Sequence, residues 1–398
     1  HRWGGFWQTM FLASTLIGIV ALTVLLVTIV NNAFGLVAIE HTVDPADLAV
    51  NGVPLEELPK EELVRILEQY VSKGLFRRLE HDLPFAERTR EDVYNLVVER
   101  VVKPKVVAIW SLLDSLLRRE EIRAQMATQY PKAELRFERW LDVRFILSPQ
   151  SSDALRAGVR TAILGSLWTI LIAFLAAFPI GVGAAIYLQE YAADNLIQRI
   201  IQTNINNLAG VPSIIYGMLG LAIFVRALEK ITSGAALGLM VDSTTANGRT
   251  ILSAGLTLGL LILPLIIINA QEAIKAVPNS LRQASLALGA TRWQTTWAHV
   301  LPEALPGILT GTILAISRAI GETAPLVVVG ASTFITIDPA GPFSKFTTLP
   351  IQIYQWTSRP QDVFRNIAAA AIIVLLVLLL SMNATAIWLR NRFGRRRV

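Results

Sequence analysis

Two residues of opposite charge, Arg318 and Glu322, stand four positions apart in a run that is otherwise small and apolar, Ser317-Arg-Ala-Ile-Gly-Glu-Thr-Ala-Pro-Leu326. Residues at that spacing share one face of a helix and can pair. Counted from Ile308 at ~1.5 Å per residue, Arg318 falls about 15 Å along an apolar segment. That is near the middle of a hydrocarbon layer about 30 Å thick. A charge at such depth costs about 2.5–3.5 kcal/mol on insertion scales, so it persists where it is paired or meets water. A guanidinium fork donates two parallel hydrogen bonds to an oxyanion. A neighbouring carboxylate repels a bare anion but can accept the proton of a protonated one, which phosphate carries near neutral pH and sulfate does not. The pair, with Ser317 and Thr323 beside it, therefore reads as the charged lining of an oxyanion path that tolerates phosphate. A purely structural pair fixing helix packing is the alternative, and the two are compatible.

The rest of the chain argues against chemistry of its own. It has no cysteine, which removes disulfides, thiolate metal sites and thiol nucleophiles. Its histidines, His1, His41, His81 and His299, lie far apart and in no metal-binding spacing. The glycine-rich phosphate loop ending in Gly-Lys-Ser/Thr is absent, and Gly181-Val-Gly183 is a fragment that suits helix packing. A membrane-embedded transferase needs paired carboxylates or a catalytic histidine at the interface. The chain offers scattered acids such as Glu190 and Asp194. No catalytic residue, metal, cofactor or nucleic-acid partner is expected.

The elements that must position Arg318 and Glu322 are membrane helices. Of 398 residues, 53% are hydrophobic and 17% charged, against about 25% charged in ordinary soluble domains. Six segments reach the roughly 20 apolar residues of a span: Trp7–Val30, Val159–Leu188, Ile205–Leu228, Ile251–Ala270, Leu305–Ile320 and Ile367–Leu389. Pro212 and Pro264 lie within two of them, which bundle neighbours can accommodate. The short apolar run Leu326–Ile337 follows Pro325, as a kinked continuation of the fifth span or a re-entrant piece. The first span is too long for a signal-peptide core and is expected to be retained. The chain opens on His1, which leaves room for a native tail before it. The arginine-dense tail after Arg390 puts the C-terminus in the cytoplasm by the positive-inside rule, and six spans then put the N-terminus there too.

Three regions are expected: an N-terminal membrane helix over 1–30, an extracytoplasmic helical insertion over 31–157, and a five-helix core over 158–398. The insertion is charged, with balanced signs. Lys60–Val71 and Thr89–Val102 carry apolar residues at helical intervals, and prolines at 45, 54, 59, 84, 104 and 131 punctuate it.

The cytoplasmic loop over 271–302 holds Gln283-Ala-Ser-Leu-Ala-Leu-Gly289-Ala-Thr-Arg-Trp293-Gln-Thr-Thr-Trp297-Ala-His-Val-Leu-Pro302. It reads as two short helices with a sharp corner. Asn279 or Ser280 can cap the first, whose apolar face is Leu281, Ala284, Leu286 and Leu288. Gly289 suits a left-handed residue beyond its end. Thr291 can cap the second, and Pro302 opens the fifth span. The pattern resembles the EAA loop of the permeases of ATP-driven importers. Gln283-Ala284-Ser285, Gly289, His299, Leu301 and Pro302 fall in register, with Gln283, Ser285 and His299 departing from the consensus. The resemblance implies a coupling helix that docks in a groove of an ATPase, with Gln283, Ala284, Ser285, Gly289, Ala290 and Trp293 at the contact.

Three strings narrow the resemblance: the Ser317–Leu326 run, Leu208-Ala-Gly-Val-Pro-Ser-Ile-Ile-Tyr-Gly217, and Ala184-Ala-Ile-Tyr-Leu-Gln-Glu-Tyr-Ala192. Together they resemble the PstA family of phosphate importer permeases, within the binding-protein-dependent transport permeases. This implies an all-α integral membrane fold of the type I importer (MetI-like) class in a bacterial inner membrane. It also implies a PstC-like second permease, two PstB-like ATPases that hold the ATP and magnesium, and a PstS-like phosphate-binding protein outside. A permease for molybdate or sulfate is the nearest rival, and an ATP-independent channel would have no reason to carry the loop. The insertion is longer than expected for that family, and the resemblance implies nothing about its role.

Overall fold

A computed structural model describes residues 2–50, 52–82, 84–239, 247–331 and 334–394. His1, Ser332, Thr333 and the last arginines of the basic tail, Arg395–Arg397, lie outside them. The chain divides into two units, one running to Asp142 with Asp153–Leu155 and Pro360–Ala370, the other holding Val143–Ser152, Arg156–Arg359 and the segment from Ala371.

In the first unit, helix α1 (Arg2–Asn32) is apolar over the 27 residues Phe6–Asn32 and exposed along that length. Unbroken apolar character on every side, with no protein cover, is what a helix solvated by lipid requires. Ala33 alone separates it from strand β1 (Phe34–Glu40). Helices α2 (Lys60–Tyr70), α3 (Lys73–Asp82) and α4 (Arg90–Val97) follow. The periodic segments read from the sequence fold as α2 and as α4 with the π-helical turn Val98–Val102. They bury Leu58, Leu63, Leu67, Val93 and Val97 in one cluster. Strand β2 (Lys105–Ile109), helices α5 (Leu112–Leu117) and α6 (Arg119–Gln129), and strand β3 (Glu134–Arg139) complete the unit.

The strands form an antiparallel sheet in the order β2-β1-β3, with Val37 opposite Ile109 and Phe34 opposite Arg139. The insertion is thus helical over α2–α6 as expected, and also contains a sheet that was not anticipated. The central strand is buried on both faces over Gly35–Ile39, so its sequence lacks the alternation that betrays a half-buried strand.

The second unit contains α7 (Val143–Leu147) and α8 (Arg160–Ile186), the latter extended by a π-helical turn at Tyr187–Tyr191. Next come α9 (Leu196–Ala209), α10 (Ser213–Gly220) with the π-helical stretch Leu221–Ala227, and the single turn α11 (Glu229–Thr232). Then follow α12 (Ile251–Lys275), α13 (Asn279–Ala287), α14 (Arg292–Thr295), a π-helical turn at Thr296–Val300, and α15 (Leu301–Gly321). The last helices are α16 (Ala324–Val329), α17 (Leu349–Thr357) and α18 (Asp362–Gly394), whose first turns belong to the first unit.

Among the described residues five helices are long and apolar enough to cross a membrane, and a sixth span exists if α9 and α10 count as one. The expected third span is therefore not a continuous helix. It breaks at Gly210–Pro212 and bends by 104°, because proline lacks an amide donor and crowds the preceding turn. The fifth span is longer than expected. Arg292–Gly321 runs as one helix of 30 residues, so Pro302 sits inside the rod, where the π-helical turn absorbs it.

Helix α12 is the centre of the unit, with 67% of its apolar window buried against 33% for α8. A Cβ at Gly255 would lie 2.6 Å from the Ile172 side chain and one at Gly259 3.3 Å from the Ala173 carbonyl oxygen. Small residues here let the two helices approach closely, which is how membrane helices gain packing energy without a hydrophobic drive. Ile251, Leu258, Ile262, Ile266, Ala315 and Leu326 join in one core. At the start of α8, Arg160 pairs with Asp338 at 2.9 Å and Thr161 donates to the same carboxylate at 3.0 Å.

Candidate functional site

The loop between α12 and α15 is built on one arginine. Arg282, one turn into α13, donates to Glu190 Oε1 through Nη2 at 2.8 Å and Nε at 3.1 Å. Its Nη2 also donates to the Ile274 carbonyl at 2.8 Å, and its Nη1 to the Val277 carbonyl at 2.6 Å and Asn279 Oδ1 at 3.3 Å. Ile274 and Val277 lie at the C-terminal end of α12, where carbonyls lack helical partners and a cation is favoured. The side chains of Arg282 and Glu190 are 18% and 12% exposed. Around them Ala185, Ile274, Val277, Val300, Ala304 and Ile308 pack with Leu281. One guanidinium thus joins the coupling loop, the end of α8 and the end of α12.

The corner after α13 is a complete Schellman motif. Ala290 N–H donates to the Ser285 carbonyl at 3.2 Å and Gly289 N–H to that of Leu286 at 3.0 Å, with Gly289 left-handed at φ 85°. These bonds satisfy carbonyls that the helix end would leave open. Thr291 caps α14 in a reciprocal capping box with Gln294. Both the corner glycine and the Thr291 cap follow the sequence reading. The first cap does not: Pro278 holds that position without a side-chain bond.

The expected contact residues divide. Gln283, Ala284 and Gly289 are exposed, and Ala290 is half-buried. Trp293 is 60% exposed and stacks on Trp297 with ring centroids 5.6 Å apart. Ser285 is not on this surface: it is buried, and its hydroxyl meets that of Thr295 at 2.9 Å. It brackets α13 to α14 because its position in the helical turn faces inward. The expected apolar face splits likewise. Leu281 packs inward, while Leu286 and Leu288 are outward, Leu288 at 90% exposure.

Arg318 and Glu322 do pair, Nε to Oε1 at 3.4 Å. The pair is not on one helix face, because α15 ends at Gly321 and Glu322 caps it with extended backbone. Arg318 stands in the last turn, where the helix dipole favours a cation. Its side chain is 46% exposed and that of Glu322 17%. Leu314, one turn earlier, is also exposed, whereas Ile308, Thr312, Ala315 and Ala319 are buried. Arg318 therefore lies on the face of α15 that this chain leaves uncovered. Ser317 points elsewhere: its hydroxyl donates to Asn383 Oδ1 on α18 at 2.6 Å. Thr323 is half-buried between α15 and α16. At Gly217 on α10 a Cβ would lie 2.7 Å from Pro325 Cα, so α16 is seated directly on the bent third span.

Sequence reasoning missed the Glu190–Arg282 pair, counting Glu190 as a scattered acid. It also missed the Gln202–Gln271 pair, in which each amide donates to the other at 3.1 and 2.8 Å, between α9 and α12. Both join residues distant in sequence, and no local spacing signals them. Among the described residues no group of three or more His, Asp or Glu is placed to hold a metal ion.

Comparison with known proteins places this geometry. Residues 177–396, more than half of the chain, match the family described as binding-protein-dependent transport system inner membrane component. The probable ABC transporter permease protein YqgI of Bacillus subtilis is 32% identical over 263 residues, 63% of this chain and 83% of that protein. The phosphate transport system permease protein PstA 1 of Mycobacterium tuberculosis is 34% identical over 242 residues, 60% of this chain and 73% of that protein. Among solved structures, an inward-facing MetNI methionine ABC transporter matches with a TM-score of 0.44 and 19% identity, over 60% of this chain and 98% of that chain. The chain belongs to the binding-protein-dependent transport system inner membrane component family, a multi-pass membrane permease with the apolar helices its hydropathy implied.

Proposed function

We propose that the chain is one permease subunit of an ATP-driven importer of inorganic phosphate, forming part of the translocation path and docking on a separate ATPase. The observation that carries this is the Arg282-braced loop. It is a rigid outward-facing corner with small residues, Ala284 and Gly289, and stacked indoles on its surface. Such a surface suits close docking in a protein groove. The phosphate assignment is supported by the likeness to the phosphate transport system permease protein PstA 1. It is also supported by an arginine on the uncovered face of α15 paired at 3.4 Å with a carboxylate just beyond the helix end, a pair fit for an oxyanion that still carries a proton.

The subunit's own residues supply a mechanical path. A push on α13 passes through Arg282 to Glu190 and the end of α8, and through the carbonyls of Ile274 and Val277 to α12. The same push reaches α15 along the unbroken helix Arg292–Gly321, whose far end carries Arg318. The loop thereby connects an ATPase stroke with the charged pair. ATP and magnesium belong to that ATPase, two copies of which would serve the importer. A second permease subunit would cover the exposed face of α15, and a phosphate-binding protein would deliver substrate from outside. The chain would sit in the inner membrane with both termini cytoplasmic.

The test is labelled-phosphate uptake at low external phosphate, with and without the chain, against excess sulfate or molybdate. Loss of uptake that neither competitor mimics supports the proposal. Unchanged phosphate uptake, with sulfate or molybdate uptake lost instead, overturns the substrate assignment.

A further inference from the structure

The short helix α5 carries three leucines that the described residues leave exposed. Leu113, Leu116 and Leu117 are 49%, 68% and 81% exposed. At intervals of three and four they form one stripe. The opposite face is fixed. Ser115 is buried and accepts from the Leu36 amide of β1 at 2.8 Å, while its hydroxyl donates to the Ser111 carbonyl at 2.6 Å. A soluble surface has little reason to hold three adjacent leucines outward on so firmly seated a turn.

Their height relative to the bilayer follows from α1. The Leu113 amide donates to Asn31 Oδ1 at 2.7 Å, one residue before the end of the first span. The opposite end of that span carries the exposed indoles Trp3 and Trp7, residues that favour a membrane–water boundary. From Trp7 to Asn31 the helix covers about 36 Å at its ~1.5 Å rise. That exceeds a hydrocarbon core of about 30 Å and stays within the 40–45 Å that includes the headgroups. Asn31, and α5 with it, therefore lies at headgroup level. Arg118 and Arg119 come directly after the leucines and are exposed, the cationic flank that an interfacial helix presents to lipid phosphates.

We propose that α5 is an interfacial anchor, with Leu113, Leu116 and Leu117 seated in the outer leaflet beside the first span and Arg118 and Arg119 at the phosphates. The occupant of this face is lipid, because the stripe continues the lipid-facing surface of α1 to which it is bonded. It fixes the base of the sheet, and so of the inserted region, against the bilayer.

The absence of cysteine makes the test direct. Single variants Leu116→Cys and Leu117→Cys carry an environment-sensitive fluorophore in the full chain, with its co-purifying subunits, in phosphatidylcholine–phosphatidylglycerol nanodiscs. Leu16→Cys within α1 is the lipid reference and Gln125→Cys on α6 the aqueous one. Probes at 116 and 117 are expected to be blue-shifted, quenched by lipid-borne nitroxide as at 16, and shielded from iodide. Iodide quenching equal to that at 125 would overturn the proposal. So would shielding from both quenchers, which would mean a protein partner covers the stripe.

Discussion

Glu190 and Arg282, 92 positions apart in the chain, meet at 2.8 Å where α8, α12 and α13 converge. Removing one partner strands the other in a largely buried place, which typically costs about 3–5 kcal/mol. Arg282→Gln should therefore loosen the loop, and Glu190→Gln should do so less, because an amide still accepts from the guanidinium. Arg282→Lys keeps the charge but loses the fork that reaches four acceptors, and should fall between. Thermal melting of the detergent-solubilised subunit ranks the three. Co-purification of the ATPase reports whether a loosened loop still docks.

Gly289 offers a cleaner probe of the corner. A Cβ there meets nothing within 4 Å, yet its φ is 85°. Gly289→Ala should cost about 1–2 kcal/mol through backbone strain alone, and Gly289→Asn less, since asparagine tolerates this region. ATPase retention should fall in the order Gly, Asn, Ala. Equal retention for all three would mean that the corner's geometry does not govern docking.

At the far end of the same rod, Arg318→Gln should lower phosphate uptake at least about tenfold, roughly 1.4 kcal/mol in a rate-limiting barrier. Glu322→Gln should lower it less, because the uncharged side chain still accepts a hydrogen bond. Full uptake by Arg318→Gln, with normal membrane levels, would remove the charged pair from the path and leave it a packing device.

In the inserted region, Asp92 is held below the ordinary carboxyl range by hydrogen bonds from the Thr89 hydroxyl and amide. A depressed folded-state value means the charged form is favoured by folding. This contribution is complete at neutral pH and is lost as pH falls below about 4 toward the folded-state value. Protection against hydrogen exchange at the start of α4, corrected for the intrinsic rate, should fall over that window. Thr89→Ala should weaken the pH dependence, the amide bond to Asp92 remaining, and lower protection at pH 7 as well.

Local grammar made the coupling loop legible. Gly289, Thr291 and their neighbours act through backbone groups within a few positions, so their spacing reports their roles. The membrane helices were legible by composition alone. What escaped is non-local or hidden by uniformity. Glu190 shows its use only when α8 comes to lie beside α13. The strand Phe34–Glu40, buried on both faces, reads as a plain apolar run beside a membrane span. Ser285 fell on a motif position by register, yet the helical turn aims it at Thr295. The third span obeys hydropathy but not continuity, because Pro212 decides a bend that a hydropathy average does not register.

The π-helical turn at Thr296–Val300 changes the bookkeeping of direction along the rod that contains it. A helical wheel drawn without a break from Trp293 brings Arg318, 25 positions on, back to within about 20° of the same azimuth, since each residue advances by about 100°. The wide turn takes up about one residue without the matching rotation, so the two side chains are skewed by roughly a third of a revolution. The exposed indole of Trp293 and the exposed guanidinium of Arg318 therefore address different sides of one shaft.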